Sequence, residues 1–406
     1  MKVLHVINRL SGRAGAEISL RDIVTSDRSG LEHAIVVLAG DGNVLEPFEA
    51  SGIPCFVPGQ ESLGWWRQVR HVRAAIRTFR PDLVHTSLFD ADQAGRIAGF
   101  VAGVPVVSSI VNTPYALEAA QAEVVSPWKL RAVRVIDGWL ARHLTSAMHA
   151  ISEATATHAV EHLRIPRQRI RVVPRGRSRV ALGDPSRERR RVVRDELGWG
   201  ERPIVISVAR QEPQKGHRYL IEAFAALLTW EPEALLVMVG RDGRSTDEVD
   251  ARIRTHDIAD AVVRLGVRTD VPDLVAAADV FAFPSLYEGL GGAAVEALGL
   301  GTPIVATDVP ALRELIGEDR GWLVPPADAD ALAHSIREVL EGGDEVERRA
   351  RNARRTFLER YELEACVVGM VRFYRDVETR LGERGPRPWR PPPRLDLAQV
   401  AGGSEA

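Results

Sequence analysis

The chain has 406 residues, 45% of them hydrophobic and 27% charged, which is enough for two domains with cores of their own and excludes a disordered or fibrous chain. The formal net charge of −2 hides an asymmetry: residues 1–183 hold 22 Lys and Arg against 16 Asp and Glu, and the remainder holds 31 against 39. The two halves are therefore expected to meet different partners. Cys55 and Cys366 are the only cysteines, far apart and without ligand spacing, which excludes a disulfide framework and fits free thiols in a reducing cytosol.

An apolar run at 2–7 opens the chain, so no signal peptide is expected ahead of the fold. Runs 3–7, 33–39, 54–57, 82–86, 104–110, 147–151 and 170–173 read as strands. Helical patterns at 16–25, 65–79 and 91–102 lie between them. This alternation predicts an α/β fold with a doubly wound parallel sheet. The loop after the first strand carries Gly12 and Ala14-Gly15-Ala16-Glu17, but no Gly-x-Gly-x-x-Gly dinucleotide fingerprint. His85 ends the run DLVHTS, where it either faces a ligand or is satisfied within the core. The longest apolar stretch, 97–111, is broken by Gly99, Gly103 and Pro105 and is too short to span a bilayer. Segments 64–80 and 126–144 combine tryptophans with arginines on helical patterns, a composition that can lie against anionic headgroups. The alternative is a solvated charged face with its tryptophans turned inward.

After Pro174, the sequence Arg175-Gly176-Arg177 and the polar residues to Pro185 read as a linker. Strand-like runs then resume at 204–208, 234–239, 262–265, 279–283, 303–306 and 322–324, so a second α/β domain is expected over 184–358. A final helix, 359–382, is expected to pack back on the first domain, and the proline-rich tail 383–406 to be disordered. Arg210 and Lys215 stand just past the carboxyl end of the run 204–208, where open α/β sheets bind ligands. Two cations there can neutralise a diphosphate and hold the charge that grows as it leaves.

The stretch 279–308, DVFAFPSLYEGLGGAAVEALGLGTPIVATD, reads as strand, loop, helix and strand. Glu296 is the only charged residue between Glu288 and Asp308, on a helix apolar nearly all round, and a buried carboxylate needs a partner. Glu288 precedes that helix among glycines that let main-chain N–H groups approach a ligand. The helix N-terminus suits a phosphate, and carboxylates accept from vicinal hydroxyls. A ligand with both phosphates and sugar hydroxyls fits. Asp90-x-Asp92 and Asp328-x-Asp330 both stand at helix starts, so they are read as helix-start residues, not as a metal site.

The spacing Glu288-x-x-x-x-x-x-x-Glu296 inside PSLYEGLGGAAVEALGLGTPIVAT closely resembles the signature of retaining glycosyltransferases of family 4. That resemblance implies the GT-B fold, two Rossmann-like doubly wound domains with an interdomain cleft: an acceptor-binding domain 1–183 and a nucleotide-sugar-binding domain 184–358. It implies that Glu288 contacts the transferred sugar, that Gly289, Leu290 and Gly291 hold the diphosphate through their amides, and that Glu296 binds the nucleotide ribose. Arg210 and Lys215 match the family's Arg…Lys-Gly element, and the main chain near Val267 would touch the base. Gly15 and Glu17 match a Gly-Gly-x-Glu loop facing donor phosphates and acceptor, with Ala14 in place of the first glycine. Asn112, in SSIVNTPY, stands where family members often have a histidine; its amide could bond a hydroxyl but not shuttle a proton. Arg175 replaces the asparagine of the family's Pro-Asn-Gly turn.

The expectation is a retaining glycosyltransferase that moves a sugar from a nucleotide-diphosphate sugar to a glycan, lipid-linked or small-molecule acceptor. No cofactor, metal or nucleic-acid partner is expected, and the protein is expected in the cytoplasm, peripheral to an anionic membrane through its first domain. Two other readings stand beside it: a sugar-nucleotide epimerase of the same architecture acting at the carbon-two position, and a catalytically silent GT-B binding subunit.

Overall fold

A computed structural model describes residues 1–10, 15–40, 45–59, 64–115 and 127–384. Gly12, Ala14 and the tail from residue 385 onward lie outside the described residues, while residues 383 and 384, expected in the tail, end the helix Leu363–Arg384. The chain divides into two compact units, Met1–Arg175 together with the residues from Leu363 onward, and Gly176–Glu362.

The first unit carries seven strands: β1 (Lys2–Ile7), β2 (Glu32–Val37), β3 (Cys55–Phe56), β4 (Leu83–Ser87), β5 (Val106–Ile110), β6 (Ala147–Ala150) and β7 (Ile170–Val172). They are parallel throughout, in the order β3-β2-β1-β4-β5-β6-β7. Their near-continuous apolar runs follow from burial on both faces of the sheet. The helices Trp65–Phe79 and Phe89–Ala102 pack on one core, with Val72, Ala94 and Ala98 fully buried. The helix Leu363–Arg384 covers Val3, Leu83 and Val107 with Met370, Phe373 and Tyr374.

The second unit repeats the plan with β8 (Ile204–Val208), β9 (Leu235–Val239), β10 (Val262–Gly266), β11 (Val280–Phe283), β12 (Ile304–Thr307) and β13 (Trp322–Val324). The order is β10-β9-β8-β11-β12-β13, again all parallel. Phe224, Leu236, Val280 and Ile336 lie at the centre of its core. Truncating such a residue to alanine costs about 2–5 kcal/mol.

Two expectations need correction. The boundary falls at Arg175/Gly176 rather than after residue 183. The stretch expected as a linker is structured: Arg177 forms a β-bridge with Glu362, and Ser178 caps the short helix Arg179–Leu182 by accepting from the Ala181 amide. Its polar composition marks a capped turn with satisfied backbone groups, which composition alone cannot distinguish from a free connector.

Candidate active site

In the second unit, the strand order reverses between β8 and β11, which pair directly, Val280 beside Val205 and Phe281 beside Ile206. Loops leaving the carboxyl ends of adjacent strands at such a point diverge and leave a crevice, the usual ligand position in open α/β sheets. Here they are tied together at their bases. The Leu286 amide donates to the Gln214 carbonyl at 2.8 Å, and Gln214 Nε2 donates to the Tyr287 carbonyl at 2.7 Å. Gly216 has φ +64°, and a Cβ there would collide with the Pro284 carbonyl oxygen, so only glycine lets the loops meet.

That docking brings Lys215 onto Glu288 as an ion pair, with Nζ 5.3 Å from the centre of the Phe283 ring. Their side chains are only 15% and 8% exposed, so each charge compensates the other's burial. Lys215 has three N–H donors, and the pair leaves others free to meet a ligand. Arg210, also past β8, is exposed and without a side-chain partner among the described residues.

The helix Gly292–Leu300 starts at Gly291, whose φ of +88° favours glycine, and buries Ala294, Val295, Ala297 and Leu298. Leu290 is buried ahead of it. Glu296, on this helix, pairs through Oε1 with Arg177 Nε at 2.7 Å. Arg177 also lies against the start of the helix, since a Cβ on Gly292 would collide with its Nη2. A guanidinium and the helix N-terminus therefore stand together beside the loop carrying Gly289 and Gly291, an arrangement that attracts an anion. The apolar helix calls for a partner to Glu296, and that partner is Arg177, in the stretch expected as a linker; a basic residue within a short Arg-Gly-Arg turn is the signal for it in the sequence.

Further along the same edge, Gly240 passes so close to the Ala209 carbonyl that no Cβ fits. Arg264 bonds Gln211 at 3.1 Å and Asp242 at 2.7 Å. Val267 follows the end of β10, 52% exposed.

In the first unit, Gly15 opens the helix Gly15–Ser26 after β1, with no atom within 4 Å of an added Cβ, and Glu17 is buried in its first turn. Asn112 is exposed just past the carboxyl end of β5. Leu88, after β4, has φ +80°, a strained value for a side-chain-bearing residue. Asn8 braces that turn, accepting from the Ala91 amide at 2.8 Å and donating to Asp90 at 3.1 Å. The two Asp-x-Asp sequences are helix-start residues as read: Asp328 accepts from the Ala331 amide at 2.9 Å, and Asp92 accepts from Thr86 at 2.5 Å and pairs with the buried Arg96.

His85 is corrected as a ligand contact. It is 6% exposed, with Nδ1 2.7 Å from the Tyr374 hydroxyl and Nε2 2.7 Å from Ser109 Oγ. Ser109 continues to His149 Nδ1 at 2.7 Å, and His149 Nε2 donates to the Val173 carbonyl at 2.8 Å. Both nitrogens are consumed inside the unit. The charged form is disfavoured, first by burial and then by His149 and Arg175.

Comparison with known proteins follows the same division. A model described as "Glycosyl transferases group 1" matches residues 189–356, and one described as "Glycosyl transferase 4-like domain" matches residues 15–176. The chain is similar to an alpha-D-kanosaminyltransferase of Streptomyces kanamyceticus, 27% identical over 68% of this chain and 72% of that one. It is also similar to a UDP-Gal:alpha-D-GlcNAc-diphosphoundecaprenol alpha-1,3-galactosyltransferase of Escherichia coli, 27% identical over 64% and 66%. Among solved structures, HepE of Anabaena in complex with UDP superposes with a TM-score of 0.79 at 25% identity, over 93% of this chain and 100% of that one.

Proposed function

The chain is a GT-B glycosyltransferase of the family 4 type that uses nucleotide-sugar donors, and from that premise we propose that it transfers a hexose from a UDP-sugar with retention of anomeric configuration. The observation that carries this reading is the pairing at the β8/β11 crossover: Lys215 with Glu288, Arg177 with Glu296, and Arg210 left over. Two carboxylates already matched to cations suit binding roles and do not offer the free pair a double displacement needs. On this reading Glu296 holds the ribose through oxygen sites that Arg177 leaves open. The Gly289 and Gly291 amides meet the diphosphate, and the main chain at Val267 meets the base. Glu288 orients the sugar. The bond from anomeric carbon to phosphate oxygen breaks while the acceptor hydroxyl attacks from the same face. The departing phosphate oxygen takes the acceptor's proton, and Arg210, Lys215 and the amides stabilise its charge. No metal ion is assigned a part.

Gly15, Glu17 and Asn112 would serve acceptor and donor sugar from the first unit. The similarity to an enzyme named for a diphosphoundecaprenol acceptor supports a lipid-linked acceptor, and an anionic membrane surface as partner. Trp65, Trp66 and Trp128 are 42%, 68% and 68% exposed at the starts of their helices, beside exposed Arg67, Arg70, Lys129 and Arg131. A cavity of about 330 Å³ lined by Arg67, Arg70 and His71 suits a phosphate headgroup. No helix among the described residues is long and apolar enough to cross a membrane.

The test is calorimetric titration with UDP, followed by transfer assays with UDP-hexoses and assignment of the product anomer by NMR. Binding of UDP and an α-linked product from an α-linked donor are expected. An inverted product, or donor breakdown that needs no acceptor, would sink this reading.

A further inference from the structure

At the amino ends of β6 and β7, a cavity of about 490 Å³ opens between Ala147, Ile170 and the helix Leu363–Arg384. It lies at the opposite edge of the sheet from Gly15 and Asn112, roughly 15 Å away along a five-residue strand. The volume is in the range of small-molecule sites. Phe373 and Val377, 2% and 4% exposed, form an apolar floor one turn apart on that helix.

The rim is cationic. Arg167, Arg169, Arg171 and Arg380 line the cavity, against one carboxylate, Asp376. Three of the arginines are held in place. Arg167 takes both oxygens of Glu153, at 2.9 and 2.8 Å. Arg169 donates to the Arg142 carbonyl at 2.6 Å and also to the Thr145 carbonyl, at the carboxyl end of the helix Pro127–Leu144. Arg171 reaches across from the edge strand to Asp376 at 2.9 Å. Arg380, one turn beyond Asp376, is exposed and has no partner among the described residues.

Glu153 and Asp376 offset two of these four charges and leave the rim with a net of two positive charges. His143 nearby is shifted toward its neutral form, first by burial and then by Arg142 and Arg169. A preorganised cationic rim over an apolar floor favours an anion that carries an apolar or planar body, and guanidinium groups match the planar geometry of phosphate oxygens.

We propose that this cavity is a second ligand site, which takes a phosphate monoester with a planar or apolar body between Arg171 and Arg380. The phosphate displaces Asp376 from Arg171, and the body covers Phe373. Because the ligand would join β7 to the helix Leu363–Arg384, it stabilises the first unit when bound. The site is separate from the donor site and does not depend on the transfer reaction proposed above.

Calorimetry and thermal melts of the full chain decide it, with adenosine monophosphate and inorganic phosphate as probes and Arg380→Glu and Arg171→Gln as variants. The wild type should bind adenosine monophosphate more tightly than phosphate and melt at a higher temperature with it. Each variant should fold as the wild type does and lose about tenfold or more in affinity, the worth of one charge-assisted contact. UDP binding should be unchanged in both. Affinity undiminished in both variants would overturn the proposal. So would failure of the wild type to bind either probe, or binding to anionic vesicles alone, which would move the same phosphate chemistry to a lipid surface.

Discussion

Glu288 and Glu296 leave one loop-and-helix segment but take different cations, Lys215 and Arg177, and their substitutions should separate. If Glu296 holds the ribose, it grips a part of the donor that does not change in the reaction. Glu296→Gln should then mainly raise the donor KM and weaken UDP binding. If Glu288 holds the sugar, that sugar becomes positively charged as its bond to phosphate breaks, so Glu288→Gln should mainly lower kcat and leave UDP binding nearly intact. A hydrogen bond to a charged group contributes about 1.5–3 kcal/mol, roughly ten- to a hundredfold in either constant. Steady-state kinetics with UDP titration reads both, and the reverse pattern would exchange the two roles. Arg177→Ala strips Glu296 of its counter-charge where the side chain is only 21% exposed, so it should weaken UDP binding in parallel with Glu296→Gln. Unchanged UDP affinity in that variant would remove Arg177 from the donor site.

Among elements, the helix Leu363–Arg384 is docked over a layer of histidines whose protons have one consistent order. His33 donates to Asp27 at 2.9 Å, so its other nitrogen accepts from His5 at 3.0 Å. His149 donates to the Val173 carbonyl, so it accepts from Ser109, which accepts from His85, which accepts from Tyr374 on the helix. A second proton on His33, His85 or His149 replaces an accepting nitrogen with a donor and breaks the chain. Burial lowers the pKa of His5, His33 and His85, and that of His149 to about 4. Arg175 opposes protonation of His85 and His149, while Asp27 favours it at His33. Each folded pKa lies below the unfolded value, so this stability is present above about pH 6.5 and is lost as pH falls toward 4. His149 alone accounts for on the order of 3 kcal/mol. Hydrogen exchange of residues 363–384 should accelerate across that window, and His149→Asn should flatten the dependence. Exchange that is flat with pH in the wild type would count against it. The helices Trp65–Phe79 and Pro127–Leu144 yield a separate prediction, since each basic residue near an anionic surface contributes about 1 kcal/mol. Sedimentation with acidic vesicles should exceed that with neutral ones and fall in Trp66→Ser and Trp128→Ser. Equal partitioning would dismiss the surface.

For the whole molecule, Asp328 caps a helix and Asp92 pairs with the buried Arg96, and on the proposed reading Arg210 and Lys215 supply the charge a diphosphate needs. Turnover should therefore persist in excess chelator. Its loss, with restoration by magnesium or manganese, would show that the cations do not suffice. A melting-temperature screen with UDP-, GDP- and ADP-sugars should single out UDP, since a ligand that binds only the folded state raises it. A larger shift with GDP- or ADP-sugars would assign a different base.

Sequence by itself determined what depends on local pattern. Alternating apolar runs and helical periods are enough to give two α/β units, because a strand covered on both faces must be apolar along its length. The glycines, Glu288, Arg210 and Lys215 were legible because each stands next to the end of a recognisable strand or helix, and Glu296 because it is the lone charge on an apolar helix. Tertiary structure decided what depends on pairing across the chain. It gave Glu296 its partner in Arg177, well over a hundred residues away, and turned an expected linker into part of the second unit. It closed both nitrogens of His85 with Ser109 and with Tyr374 from the far end of the chain, and it turned Trp66 and Trp128 outward. A polar side chain's role is set by which donor or acceptor reaches it, and helical or strand periodicity carries no record of that distance.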